Sequence, residues 1–122
     1  MSKTLKVYHY PICSTCRLAN KQLKEQGYQL DDQDIKQQPP TVEELRRLIP
    51  LSGLPIAKWF NTSGEVYREL GLKDKVKTMS EDEKIKLLSG HGMLIKRPIV
   101  TDGVKVTVGY KSERFAEEWP AL

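Results

Sequence analysis

Chemistry in this chain concentrates at Cys13 and Cys16, its only two cysteines, set three positions apart in Tyr10-Pro11-Ile12-Cys13-Ser14-Thr15-Cys16-Arg17. Leu5-Lys6-Val7-Tyr8-His9-Tyr10 before them reads as a strand, from its β-rich residues and alternating polarity. Leu18 to Gly27 after them reads as a helix, with Ala19 and Leu23 four apart and Gly27 at the expected left-handed cap. The pair therefore lies at a strand-to-helix turn, with Cys13 near the helix N-terminus. Amides and dipole there favour a thiolate over a thiol. Two sulfurs at i and i+3 of a helix start can close a disulfide, the first exposed and the second tucked behind it. The assignment is Cys13 as nucleophile and Cys16 as resolving thiol. A metal site would need two more ligands, and His9 and His91 are the only soft candidates left, so no metal is assigned. Inert cysteines are disfavoured because the pair sits at a turn rather than on an apolar face.

Other residues are open to two readings. Arg97-Pro98 offers a guanidinium for a thiolate or an oxyanion, or else a solvent arginine before a strand-opening proline. Ser14 and Thr15 can give amides and hydroxyls to an anion at the helix start, or act only as turn residues. Arg17 can lower a cysteine pKa or stay solvated. His9 and His91 are weaker candidates, and Trp59, Phe60, Phe115 and Trp119 read as core.

The elements that must position these residues follow in order. Tyr28–Ile35 is a weak second strand, parallel to the first because the crossover is short. Thr41-Val42-Glu43-Glu44 is a capping box, and its helix carries Val42, Leu45, Leu48 and Ile49 on one face until Pro50 and Gly53 end it. Short helices are expected at Pro55–Phe60 and Glu65–Leu70, the latter closed by Gly71. Ser80-Glu81-Asp82-Glu83 is a second capping box, opening a helix to about Leu88 with Ile85 and Leu88 inward. Met93–Arg97 leads into a strand at Pro98–Thr101, Asp102-Gly103 signals a hairpin, and Val104–Val108 alternates as its partner. Ser112 is expected to cap a last helix, Glu113–Trp119, with Phe115 and Trp119 inward. The order β-α-β, helices, β-β-α assembles an α/β domain with a four-stranded mixed sheet flanked by helices. The expectation is a single domain over 1–122, with a helical insertion at about 41–92.

Composition narrows the class. With 20 basic and 16 acidic residues the net charge is +4, and the basic residues are interleaved with acids, so a solvated surface is favoured over a nucleic-acid patch. No basic stripe with interleaved aromatics is present. Apolar runs are too short to span a bilayer, and Met1-Ser2-Lys3-Thr4 leads directly into a strand without a signal peptide. A cytoplasmic protein with no membrane and no direct nucleic-acid partner is expected, as a monomer. Two close cysteines in that compartment favour redox chemistry over a structural disulfide.

These motifs, together with Pro39-Pro40-Thr41, Glu44-Leu45, Phe60-Asn61-Thr62-Ser63-Gly64, Tyr67-Arg68-Glu69-Leu70, Met93-Leu94-Ile95-Lys96-Arg97-Pro98 and Val108-Gly109-Tyr110, resemble the arsenate reductase-like (ArsC/Spx) family of thioredoxin-fold proteins. The resemblance covers nearly the whole chain and implies a thioredoxin-like fold with a helical insertion, in which a cis-proline at Pro98 faces the dithiol. The expected catalytic residues are Cys13, Cys16 and Arg97, with substrate binding by Ser14, Thr15, Arg17 and Pro98. The family's arsenate reductases surround one essential cysteine with three arginines; Arg97 matches one, and Asn61 and Tyr110 stand where the other two fall. A thiol–disulfide oxidoreductase is expected, with an oxyanion such as arsenate as a possible substrate. It would hold no bound cofactor and be reduced by a low-molecular-weight thiol, glutaredoxin or thioredoxin. The family's other branch, the Spx-like regulators, implies an alternative: a redox-switched protein that binds the RNA polymerase α subunit, with Gly53 in the stretch that carries a contact glycine. The likeness is nearer to the reductase-like members.

Overall fold

The computed structural model describes residues 3–122. In chain order its strands and helices are β1 (Thr4–His9), α1 (Ser14–Glu25), β2 (Gln29–Asp34), α2 (Val42–Ser52), α3 (Glu65–Glu69), α4 (Leu72–Lys75), α5 (Glu81–Gly90), β3 (Ile99–Thr101), β4 (Val106–Val108) and α6 (Ser112–Glu118). The chain forms two compact units, one of the segment up to Asp34 joined by Arg97–Leu122, the other Ile35–Lys96.

The first unit is built on a four-stranded sheet of order β2-β1-β3-β4. β1 and β2 run parallel, from Thr4 opposite Gln29 to His9 opposite Asp34. β3 is antiparallel to β1, with Val7 opposite Val100, and to β4, with Val100 opposite Thr107. Alternation in β1 sends Leu5 and Val7 to one face. There they join Ala19 and Leu23 of α1, Tyr28, Val100, and Phe115 and Trp119 of the α6 end in one buried cluster. Each fully buried large side chain contributes about 1.5–3 kcal/mol by leaving water. Two hydrogen bonds fix the polar edges of this core. The Trp119 Nε1–H donates to Thr107 Oγ1 at 3.1 Å, and the Tyr28 hydroxyl donates to the Pro120 carbonyl at 2.7 Å. The β3–β4 loop turns at Gly103, whose φ of 94° favours glycine, while Asp102 Oδ1 accepts from the Val104 and Lys105 amides, both at 2.9 Å.

The second unit is helical. Both capping boxes form: Thr41 with Glu44, and Ser80 with Glu83, each reciprocal between side chain and backbone. Short 3-10 turns at Ile56–Trp59 and Val76–Thr78 link the helices, and another at Gly92–Leu94 follows α5. Trp59 is fully buried and its Nε1–H donates to Ser52 Oγ at 3.2 Å. A single bridge pairs Phe60 with Ile95. Gly92 lies so close to the Ile35 carbonyl that a Cβ there would stand 1.8 Å from its oxygen.

Several local expectations need correction. α1 begins at Ser14, earlier than the apolar period starting at Leu18 suggested, with Cys13 as its N-cap residue. Pro50 lies inside α2 and does not end it; Gly53, at φ 69°, does. Near a helix C-terminus a proline forfeits one backbone bond without breaking the preceding turns. Ser112 does not cap α6: it is the first helical residue, Lys111 precedes it, and no side chain bonds the free amides. α4 and the 3-10 turn after it were not foreseen. Met93 and Leu94 form a 3-10 turn before the last strands.

Candidate active site

The β1–α1 turn carries the cysteines. The Cys13 amide donates to the Tyr10 carbonyl at 3.0 Å, and the Arg17 amide closes the first helical turn onto the Cys13 carbonyl at 3.1 Å. Because Cys13 caps the helix in extended conformation, its sulfur stands at the N-terminal end, where the first amides lack intrahelical acceptors. Cys16, one turn on, points into the core and is fully buried, while Cys13 is half-buried. Both are free thiols.

Their acidities diverge for physical reasons. Burial alone would push Cys13 up, but the Cys16 backbone amide, the Cys16 thiol and the Arg97 guanidinium all bond or attract its sulfur, and its pKa lies below the usual 9.0. Burial dominates at Cys16. Helped by the Cys13 sulfur, and opposed by the Tyr10 amide and by Arg97's charge, it holds the thiol at about 12. At neutral pH the Cys16 proton therefore stays on and points at Cys13. One sulfur is prepared as an anion, and the other waits protonated behind it.

Arg97 and Pro98 come back to this turn with β3, across a cis peptide bond. Pro98 is buried, and its carbonyl accepts from the Gly109 amide at 2.9 Å. The Arg97 guanidinium also lies over the Tyr10 ring, 5.5 Å from its centroid, a cation–π contact that sets its direction. Sequence reasoning named Arg97 but missed Tyr10. Its aromatic type just before the turn was the available signal.

The remaining candidates lie nearby to different degrees. Ser14 and Thr15 are exposed at the first turn of α1. Arg17 is exposed and its Nε–H donates to the Pro11 carbonyl at 3.1 Å, so it braces the turn. His9 ends β1, with its Nδ1 3.4 Å from the Asn20 amide nitrogen. His91 is exposed in the other unit. Tyr110 is committed to packing: its hydroxyl donates to Gln22 Oε1 at 2.6 Å, and its ring meets Phe115 edge-on at 4.8 Å.

A family model for the ArsC family matches residues 8–117. The chain belongs to the ArsC family. Among its relatives, the uncharacterised protein YusI of Bacillus subtilis (strain 168) is 54% identical over 95% of this chain and 98% of its own length. The regulatory protein MgsR of the same organism is 29% identical over 90% of this chain and 86% of its own. The solved arsenate reductase of Vibrio cholerae superposes with a TM-score of 0.86 at 30% identity, covering 96% of this chain and 98% of that one. The fold is thus the thioredoxin-like fold of ArsC proteins, and the family includes arsenate reductases. No helix among the described residues is long and apolar enough to cross a membrane.

Proposed function

We propose that this ArsC-family protein is a thiol–disulfide oxidoreductase in which Cys13 attacks and Cys16 resolves. The observation that carries this reading is the divergence of the two thiols. Cys13 is held below its usual pKa with Arg97 bonded to its sulfur, and Cys16 is buried behind it at about 12.

The Cys13 thiolate attacks one sulfur of a substrate disulfide. A Cys13–substrate S–S bond forms, the substrate S–S bond breaks, and the leaving sulfur departs with the electron pair and takes a proton from water. Cys16 then gives up its proton and attacks Cys13, releasing the second substrate thiol and closing Cys13–Cys16. Two electrons pass from the protein dithiol to the substrate. An external thiol (a low-molecular-weight thiol, glutaredoxin or thioredoxin) restores the dithiol, with no bound cofactor. Arg97 stabilises the thiolate electrostatically, and the free amides of Ser14 and Thr15 at the start of α1 would favour a polarised leaving group. A disulfide is favoured over arsenate because Tyr110, at one expected arginine position, spends its hydroxyl on Gln22.

Turnover of a model disulfide by single variants tests the reading. Cys13→Ser is expected to abolish it, and Cys16→Ser to trap a mixed disulfide visible by mass. Normal turnover in both variants would sink the mechanism. The likeness to the regulatory protein MgsR favours a second reading, a redox-switched partner of the RNA polymerase α subunit. A pull-down with that subunit under oxidising and reducing conditions tests it, and retention in neither state removes it.

A further inference from the structure

Beside the dithiol, α1 forms one wall of an open groove of about 400 Å³ lined by His9, Pro11, Arg17, Asn20, Lys21 and Lys24. Arg17, Lys21 and Lys24 follow Cys13 by four, eight and eleven residues, on one side of the helix. None of the three makes an ion pair with a carboxylate among the described residues. Asp32 accepts from the Asn20 amide at 3.2 Å. That leaves the Asn20 Oδ1 buried without a hydrogen-bond partner. Two large apolar side chains of this stretch also face water, Ile12 at 69% and Leu18 at 57% exposure.

The spacing speaks to the ligand. From the helical rise, the three cations stand about 6, 12 and 17 Å along the axis from Cys13. A single small anion cannot touch all three, but a chain can. An extended polypeptide advances about 3.3 Å per residue, so it would place its second, fourth and fifth residues from a cysteine at Cys13 beside them, by roughly that arithmetic.

We infer that this groove docks an acidic stretch of a protein substrate, with carboxylates at about two, four and five residues from the oxidised cysteine presented to Cys13. The inference rests on the dithiol reading and deepens it, because it names the substrate class: protein disulfides in an acidic context. The docked carboxylates neutralise cations that have no carboxylate partner among the described residues, and selectivity is greatest where salt is low.

Synthetic peptides of three compositions test this. Each carries one cysteine as a thionitrobenzoate mixed disulfide, with Glu, Gln or Lys at the named offsets, prepared on either side of the cysteine. Release of thionitrobenzoate is followed by stopped flow. In one of the two orientations the Glu peptide is expected to react about tenfold faster than the Lys peptide at low ionic strength, the ratio falling toward one in about 1 M salt. The double variant Lys21→Glu/Lys24→Glu is expected to invert that preference, its Gln-peptide rate serving as the denominator. Equal rates for the three peptides in both orientations, with release still dependent on Cys13, would overturn the groove and leave the dithiol reading standing. An undiminished Glu preference in the double variant would also overturn it. Release that survives Cys13→Ser would sink the dithiol reading and the groove with it.

Discussion

Excess iodoacetamide is expected to alkylate the folded, reduced protein first at Cys13. The magnitude follows from the raised acidity constant of Cys16, about 12 against an ordinary 9.0. Three pH units leave it about 1,000-fold less thiolate at neutral pH than a free cysteine. The more basic thiolate is intrinsically more nucleophilic, with a Brønsted coefficient near 0.4–0.5, which returns a factor of about 15–30. Protonation alone therefore slows Cys16 by about 30–60-fold, before its burial denies the reagent an approach. Cys13 is only half-buried and more acidic than usual, so protonation does not hold it back as it does Cys16. Whole-protein mass spectrometry of quenched time points should show one adduct accumulating well before a second, and peptide mapping should find it on Cys13. In urea both should react together. First adducts divided evenly between the two cysteines in the folded protein would refute the account of both thiols.

Arg97→Met removes a bond and a charge that favour the anion, so the Cys13 thiolate titration, read by ultraviolet absorbance, should move to higher pH; an unmoved curve would remove Arg97 from the site. Gly92→Ala places a methyl 1.8 Å from the Ile35 oxygen and 2.7 Å from its carbon, both backbone atoms. Overpacking of about 1–3 kcal/mol should lower the melting temperature by about 5–15 °C. Gly90→Ala, with nothing within 4 Å, should melt at or above wild type, and equal melting of the two variants would refute the close approach. At Asp102 burial works against the anion, but the Lys105 and Val104 amides and Lys3 outweigh it, holding the folded pKa below 3.8. Its contribution is then full above 3.8 and lost as pH falls through the folded value. The stability gap between wild type and Asp102→Ala, from urea melts, should stay constant near neutrality and narrow below that range.

What the sequence made legible was mostly local. The capping boxes at Thr41 and Ser80 need only two side chains three residues apart, and both form. Gly27, Gly53 and Gly103 announced positive φ because little else tolerates it. The β-α-β and β-β-α halves could be read from period and turn chemistry. α4, four residues long, is too short to show a period. The start of α1 was legible from the cysteine turn and not from apolar period, because its first turn, Ser14 to Arg17, is polar on the outside and buries only Cys16. Arg97 was raised by the Arg-Pro pair with its two readings left level, and resemblance tipped the choice, since no local signal says that a residue more than eighty positions away will bond Cys13. Lys21 and Lys24 were visible at helical spacing from Arg17, but the even mixture of charges over the chain favoured a merely solvated surface.

The site has one feature that a static list of its residues hides. A resolving thiol at about 12 looks too poor a nucleophile to finish the reaction. Part of what holds it there is the sulfur of Cys13, through both a hydrogen bond and a charge. Once Cys13 is in a mixed disulfide that negative charge is gone, while Arg97's charge and the Tyr10 amide, both of which favour a Cys16 thiolate, remain. The first step therefore relieves the second, and the order of events is written into the electrostatics. Capping Cys13 as its methyl disulfide should lower the Cys16 titration midpoint, read from its Cβ shift by nuclear magnetic resonance, relative to the reduced protein. A midpoint that is unchanged or higher after capping would mean that Cys13 does not control its partner, and the sequential mechanism would lose its physical basis.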